Sequence, residues 1–414
     1  MIKVSTGSID IRYPGEMIAS GHSSDKSLRN NYDGSVEVNF IVLISEDIDI
    51  YLIQIDTLYV DNLLKNNLQK RFKRSGVPVE LICVSSHSHS LPGIDPSKKL
   101  LGDYYEKYLN FIEQKIINEI NIHLKNLKAE DVFFSNYKTF SQLSIGRRGS
   151  KSKKNFSLFN LRNTVPDFSE LGANIELTCF FGEHCKDIIA IIWTFPAHPV
   201  LYPNNDKFSA DFPGHVRKLL RRDLGNDQIP ILYLPGCTGD RRPMLQSKIR
   251  QKNILDLIVG QPFEEWSIEE YLKYCESLKS EIYKMIVDNK NRHKTQLVSA
   301  SYKSVKIPLE DIGITNQFED SLIVELLSFN TYLKYAFLNC EPSYKYHNLF
   351  GKECTVTGYS SGVFGYLPTD TQVSEGGYEV DGFMSFFHTS GKFYKPLEKT
   401  INDRVRNEHT INKS

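Results

Sequence analysis

The order of strand-like and helix-like segments predicts an α/β fold, with a large, mixed and partly parallel β-sheet flanked by helices. Three observations carry this. Short apolar, β-branched runs alternate with longer amphipathic stretches. Several of the runs are apolar at consecutive positions, as strands buried on both faces require. Histidines stand just after two of the runs, where open α/β sheets gather reactive groups. With 414 residues the chain can bury a sizeable core.

In chain order, strands are expected at Val36 to Leu43, Tyr51 to Ile55, Val79 to Val84, Ile188 to Phe195 and Ile229 to Leu234. Helical patterns cover Leu58 to Arg74, Tyr104 to Leu127, Gly214 to Leu224 and Ser267 to Val287. Ser209 or Asp211 is the expected cap of the third helix, with Pro213 in its first turn. From Cys340 through Gly382 the chain is rich in glycine and tyrosine and reads as long loops covering an active site. No internal repeat or low-complexity linker divides it, so no second independent domain is required and residues 1–414 are expected to form a single domain with a loop-rich last third.

Lys plus Arg equals Asp plus Glu at 50 each, which leaves no global field to attract nucleic acid or an anionic membrane. The basic stretch from Arg147 to Lys154 is the local exception, and Lys151, Lys153 and Lys154 read as a solvated loop. Seven scattered cysteines fit reduced thiols. Met1 to Ser8 lacks the apolar core of a signal peptide, and no run reaches the roughly 18 apolar residues that span a bilayer. A cytoplasmic protein with a small-molecule substrate, no nucleic-acid partner and no stable membrane insertion is expected. The oligomeric state is left open.

The chemistry concentrates at Ser86-His87-Ser88-His89-Ser90, directly after an apolar run. Residues two apart in a strand share a side, so His87 and His89 can enter one pocket. His198 ends another such run. A single histidine after a strand is ordinarily a hydrogen-bonded buried residue, and no Cys-x-x-Cys marks a structural zinc site. Ligands gathered from distant strand ends instead suit a catalytic metal with an open position. Gly358-Tyr359-Ser360-Ser361-Gly362 matches the serine-hydrolase elbow, but Gly365 and Pro368 follow where that elbow needs a helix.

Together these segments resemble the catalytic domain of the neutral, non-lysosomal ceramidases. The resemblance runs from Ser8-Ile9-Asp10-Ile11-Arg12-Tyr13-Pro14 through Gln54-Ile55-Asp56, the His87 segment with Leu91-Pro92-Gly93, Ile145-Gly146-Arg147-Arg148 and His198-Pro199-Val200. It continues over Ser209 to Gly214, Pro235 to Asp240, Asn339-Cys340-Glu341, Gly365 to Thr369 and Gly376-Gly377-Tyr378-Glu379. It implies that His87, His198, Glu341 and Tyr378 bind one zinc ion, that His89 and Arg147 line the catalytic pocket, and that Tyr378 also serves catalysis. Asp56 and Asp240 would orient a histidine or anchor a loop.

Two departures stand out. Gly146 occupies a position where the family commonly has asparagine, and Arg242 stands where ceramidases carry a serine, two residues after the aspartate of Gly239-Asp240. Ceramide itself is therefore a doubtful substrate. Arg241 and Arg242 are candidates for binding a carboxylate or phosphate, or for structural pairs with loop acids. The expectation is a zinc-dependent amidohydrolase cleaving an N-acyl bond of a small polar or amphiphilic molecule. Acyl transfer or amide formation at the same site, and a binding protein that retains only the fold, are the alternatives.

Overall fold

The computed structural model describes residues 2–21, 27–74, 76–127, 130–149, 166–204, 206–245, 263, 265–289 and 292–411. Lys151, Lys153 and Lys154 lie outside the described residues.

The class is the expected one, a mixture of helices with parallel and antiparallel strands, but the strands divide among three principal sheets. In the first, Lys3–Asp10, Glu37–Ile44, Asp49–Ile55 and Val79–Ser85 lie side by side, and only the last pair is parallel. The second runs Ile231–Leu234, Ile188–Thr194, Asp167–Phe181, Phe133–Gly146 and Arg241–Pro243, with Thr295–Gln296 added against Phe133–Gly146. The third joins Ala300–Pro308, Ser321–Phe329, Leu333–Leu338 and Cys354–Thr357.

Alternation along the strands sets the layers. Leu52, Ile82 and Val84 of the first sheet share one core with Ile192, Leu232 and Leu234 of the second and with Val305, Val324 and Phe337 of the third. The intervening residues face outward. Ile53, Leu81 and Cys83 meet the helices Asn62–Arg71 and Glu106–Lys125. Ile191, Trp193, Ile231 and Tyr233 meet Asp211–Leu224 and Ile268–Asp288. Strands buried on both faces are the reason the runs read as continuously apolar. On Glu106–Lys125 the inward stripe is Ile112, Ile116 and Ile120, spaced by four, each contributing about 1.5–3 kcal/mol by burial.

Helix starts follow from local chemistry. Asp61 accepts from the Leu64 amide, so the first helix begins at Asn62 and leaves Leu58 and Tyr59 outside it. Ser267 and Glu270 form a reciprocal capping box. At the third helix the expected caps are displaced: Ala210 is the cap residue and Asp211 is the first helical residue, with a left-handed φ of 54°. Its carboxylate turns back to accept from the amides of Leu201 and Tyr202 at 2.8 and 3.2 Å, bracing the loop after His198. All seven cysteines are free thiols, and among the described residues no helix is long and apolar enough to cross a membrane.

Candidate metal centre

His87 does not continue its strand. The ladder ends at Ser85, and His87 takes a left-handed backbone, φ 61°, strained for a residue with a side chain and costing about 1–3 kcal/mol. His87 and His89 therefore converge through a turn and not through the two-residue repeat of a strand. Small neighbours permit this: Ser85, Ser86 and Ser88 are fully buried with the imidazole. His198 enters from the end of the Ile188–Thr194 strand, and Glu341 from the two-residue strand Glu341–Pro342, paired in parallel with Tyr366–Leu367.

Each imidazole is held by a backbone carbonyl. Nδ1 of His87 donates to Leu58 O at 3.1 Å, that of His89 to Gly21 O at 3.1 Å, and that of His198 to Thr238 O at 3.2 Å. With the proton of each neutral ring on Nδ1, all three Nε2 atoms are lone-pair acceptors. They face one another: His87 Nε2 is 2.9 Å from His198 Nε2 and 3.3 Å from His89 Nε2. Glu341 Oε2 closes the group at 3.8 Å from His87 Nε2 and 3.6 Å from His198 Nε2. Three acceptors and a carboxylate pointed at one spot repel unless a cation lies between them. Tetrahedral zinc ligands at about 2.0–2.1 Å would stand about 3.3 Å apart, so the donor set fits a small divalent ion.

Electrostatics favour the same state. Burial pushes the His87 pKa down, against the attraction of Glu341. His198 falls well below its ordinary value through burial, with His87, Arg147 and His89 adding to the effect. Both rings are thus unprotonated and ready to ligate at neutral pH. Glu341 is fixed at both oxygens: Tyr59 donates to Oε1, and Tyr359 donates to Oε2 at 3.1 Å. Tyr359 also bonds Thr238 and packs its ring 4.3 Å from that of His87.

Arg147 stands beside this group, its guanidinium 5.5 Å from the Tyr366 ring centre and 5.7 Å from that of Tyr378. Its Nε donates to Glu379 at 2.8 Å, while Arg148 donates to the other oxygen of Glu379. Tyr378 opens a single π turn, Tyr378–Gly382, and its phenol pKa is raised by burial and then by the charge of Glu341. The two candidate arginines of Arg241–Pro243 part company. Arg241 turns into the body of the protein, donating to Ser144 Oγ at 3.1 Å and Gly172 O at 2.5 Å beneath the Tyr344 ring. These contacts, with Glu170 at 4.0 Å, are of the structural kind. Arg242, the next residue and so on the other side of the strand, pairs with Ile145, two residues before Arg147, and lies over the Phe263 ring at 4.8 Å.

Neither candidate aspartate touches a histidine. Asp240 accepts from the Tyr344 amide and Gln372 Nε2, both at 2.7 Å, and anchors the loops that follow Glu341. Asp56 is held by Arg217 at 2.6 Å. Ser360 of the elbow-like motif sits in an isolated bridge to Val84, with no helix after it. A surface cavity of about 490 Å³ beside Asn66, Lys70 and Arg74 is remote from this chemistry.

Solved structures share the whole arrangement of elements. A neutral ceramidase from Pseudomonas aeruginosa matches with a TM-score of 0.72 over 98% of this chain and 75% of that one, at 13% identity. The chain has the neutral ceramidase fold. A ceramidase complexed with C2 matches likewise, with a TM-score of 0.71 over the same shares at 12% identity. No protein-family model and no curated protein matches the sequence. At such identity the ceramidase likeness establishes architecture, and the case for chemistry rests on the histidine group.

The sequence reading did not find Tyr59, Tyr366 or a role for Tyr359. Tyr359 lies inside the serine-like motif, next to Ser360. Its only signal was adjacency to buried small residues, and one of 22 tyrosines carries no local mark of such a role.

Proposed function

We propose that the chain is a zinc-dependent amidohydrolase that cleaves the N-acyl bond of a small polar or amphiphilic molecule. The observation that carries this reading is the meeting of three Nε2 lone pairs with the Glu341 carboxylate around one spot, every Nδ1 proton being taken by a carbonyl. His87, His198 and Glu341, joined by Tyr378, would hold the ion. A divalent cation held there would supply Lewis acidity and lower the pKa of a nucleophilic water.

The remaining work falls to the chain. His89 turns Nε2 toward the same point, with Nδ1 donating to Gly21 O, and is assigned to take a proton from the attacking water on Nε2 and pass it to the leaving amine. Arg147, held by Glu379 and braced between Tyr366 and Tyr378, is assigned to the carbonyl oxygen as negative charge develops there, with the Tyr378 hydroxyl beside it. Burial of His87, His198, Glu341 and Arg147 lowers the local dielectric and strengthens both interactions, while His89 and Tyr378 are half-buried.

Metal analysis of the purified protein, followed by amine release from a panel of N-acyl substrates, tests the reading. Close to one zinc per chain and turnover abolished by His198→Ala are expected. Protein without stoichiometric metal, or full activity in His198→Ala, would overturn it.

A further inference from the structure

Arg147 and Arg148 already share the carboxylate of Glu379, and Arg148 also meets Glu375 at 3.4 Å. Arg242 adds a third guanidinium with no acid of its own among the described residues. Its place in the ladder, opposite Ile145, sets it two residues from Arg147, and burial together with the Arg147 charge lowers its pKa to about 10, so it stays cationic at neutral pH. The side chain is partly buried, and its plane is supported by Phe263 at 4.8 Å. Arg241, the neighbour that has acidic company in Glu170, faces the opposite side of the strand. Arg147 has its acid in Glu379, whereas Arg242, brought beside it, has none among the described residues.

We propose that Arg242, together with Arg147, receives an oxyanion carried by the substrate, so that the preferred substrates are N-acyl amides bearing a carboxylate or phosphate. This rests on the reading of the histidine group as a hydrolytic site and names its substrate class. A planar guanidinium braced on an aromatic ring keeps its forked donors in one orientation, which suits bidentate capture of a carboxylate or phosphate. Arg147 then serves both the reacting carbonyl and the anion, its Nε remaining on Glu379. The substrate's anionic group offsets the repulsion between the two arginines.

The test uses zinc-loaded protein, wild type and Arg242→Gln, in two arms. In the binding arm, calorimetry compares the ketone isostere of N-decanoylglycine, in which CH2 replaces the amide NH, with the primary amide of the same isostere. The acid is expected to bind about tenfold or more tightly than its amide, and Arg242→Gln is expected to erase the preference. In the turnover arm, N-decanoylglycine, N-decanoylethanolamine phosphate and N-decanoylglycinamide are compared, and whichever anionic substrate has the higher kcat/KM distinguishes carboxylate from phosphate. Equal binding of acid and amide, no binding of either, or an unchanged preference in Arg242→Gln overturns the proposal. Should Arg242→Gln fail to fold, Arg242→Lys replaces it and is expected to retain only part of the preference. Carboxylate preference in the binding arm with no turnover of any substrate would count against the hydrolase reading alone.

Discussion

Tyr59 and Tyr359 set where the Glu341 oxygens can go. With a phenol on each oxygen, the carboxylate is presented to the histidines in one orientation, and the rotamer entropy of a free glutamate is removed before any ion arrives. Tyr359→Phe keeps the ring against His87 and deletes only the hydroxyl. It is expected to weaken zinc affinity about tenfold to a hundredfold, as measured by chelator competition, with little change in Tm. Unchanged affinity would show that Glu341 needs no such support. At this scale the histidines were legible, because His-x-His after an apolar run has a geometric meaning. That meaning holds only in part, since His87 leaves the strand conformation on which the spacing argument depends. Glu341 and Tyr378 were reachable only through family resemblance. The supporting tyrosines were not reachable, because their partners lie as many as 282 residues away in sequence.

Whole elements are pinned to the site by buried contacts that single substitutions can break. Gly239 is packed so closely on the strand bearing Glu341 that a Cβ there would stand 2.6 Å from Glu341 O and 2.9 Å from Pro342 O. Gly239→Ala is expected to push Glu341 away from the histidines, lowering both zinc content and Tm, with a stability loss of about 1–3 kcal/mol. A wild-type zinc content in that variant would show that the strand position does not govern the ligand. The helix Asp211–Leu224 is held to the first sheet by Arg221 on Glu37 at 2.7 Å and Arg217 on Asp56 at 2.6 Å, all four side chains being buried. Glu37→Gln leaves buried guanidinium charge without its carboxylate and is expected to cost about 3–5 kcal/mol in chemical denaturation. Elements buried on both faces were legible from their apolar runs. Phe133–Gly146 and Asp167–Phe181 escaped, because serine, asparagine, lysine and glutamate interrupt them on the more exposed face and a register irregularity breaks the pairing near Ile145. The third sheet escaped for a similar reason, as in Lys-Ile-Pro of Ala300–Pro308, where Ile307 is buried and its neighbours are exposed.

For the molecule as a whole, acid sensitivity follows from the same clamp. Burial raises the Glu37 pKa, but Arg217 and Arg221 outweigh it and hold the group near about 2, against an ordinary 4.5. A carboxylate depressed in the folded state stabilises the protein fully above its unfolded value and progressively less as pH falls toward the folded one. Between about pH 4.5 and 2 this group alone should remove about 3 kcal/mol, and Glu37→Gln should flatten that part of the stability-against-pH curve. An identical slope in wild type and variant would assign the acid loss to other groups. The α/β class was legible at this scale, whereas the division into three sheets around a shared core depended on long-range pairings that a periodic pattern does not encode. The central claim, that residues far apart in sequence converge on one divalent ion, is tested most directly by X-ray absorption at the zinc edge of zinc-loaded protein. Two or three imidazole nitrogens with oxygen ligands at about 2.0–2.1 Å are expected in wild type, with one imidazole fewer in His198→Ala; a zinc shell without imidazole scattering, or one unaltered by His198→Ala, would contradict the account.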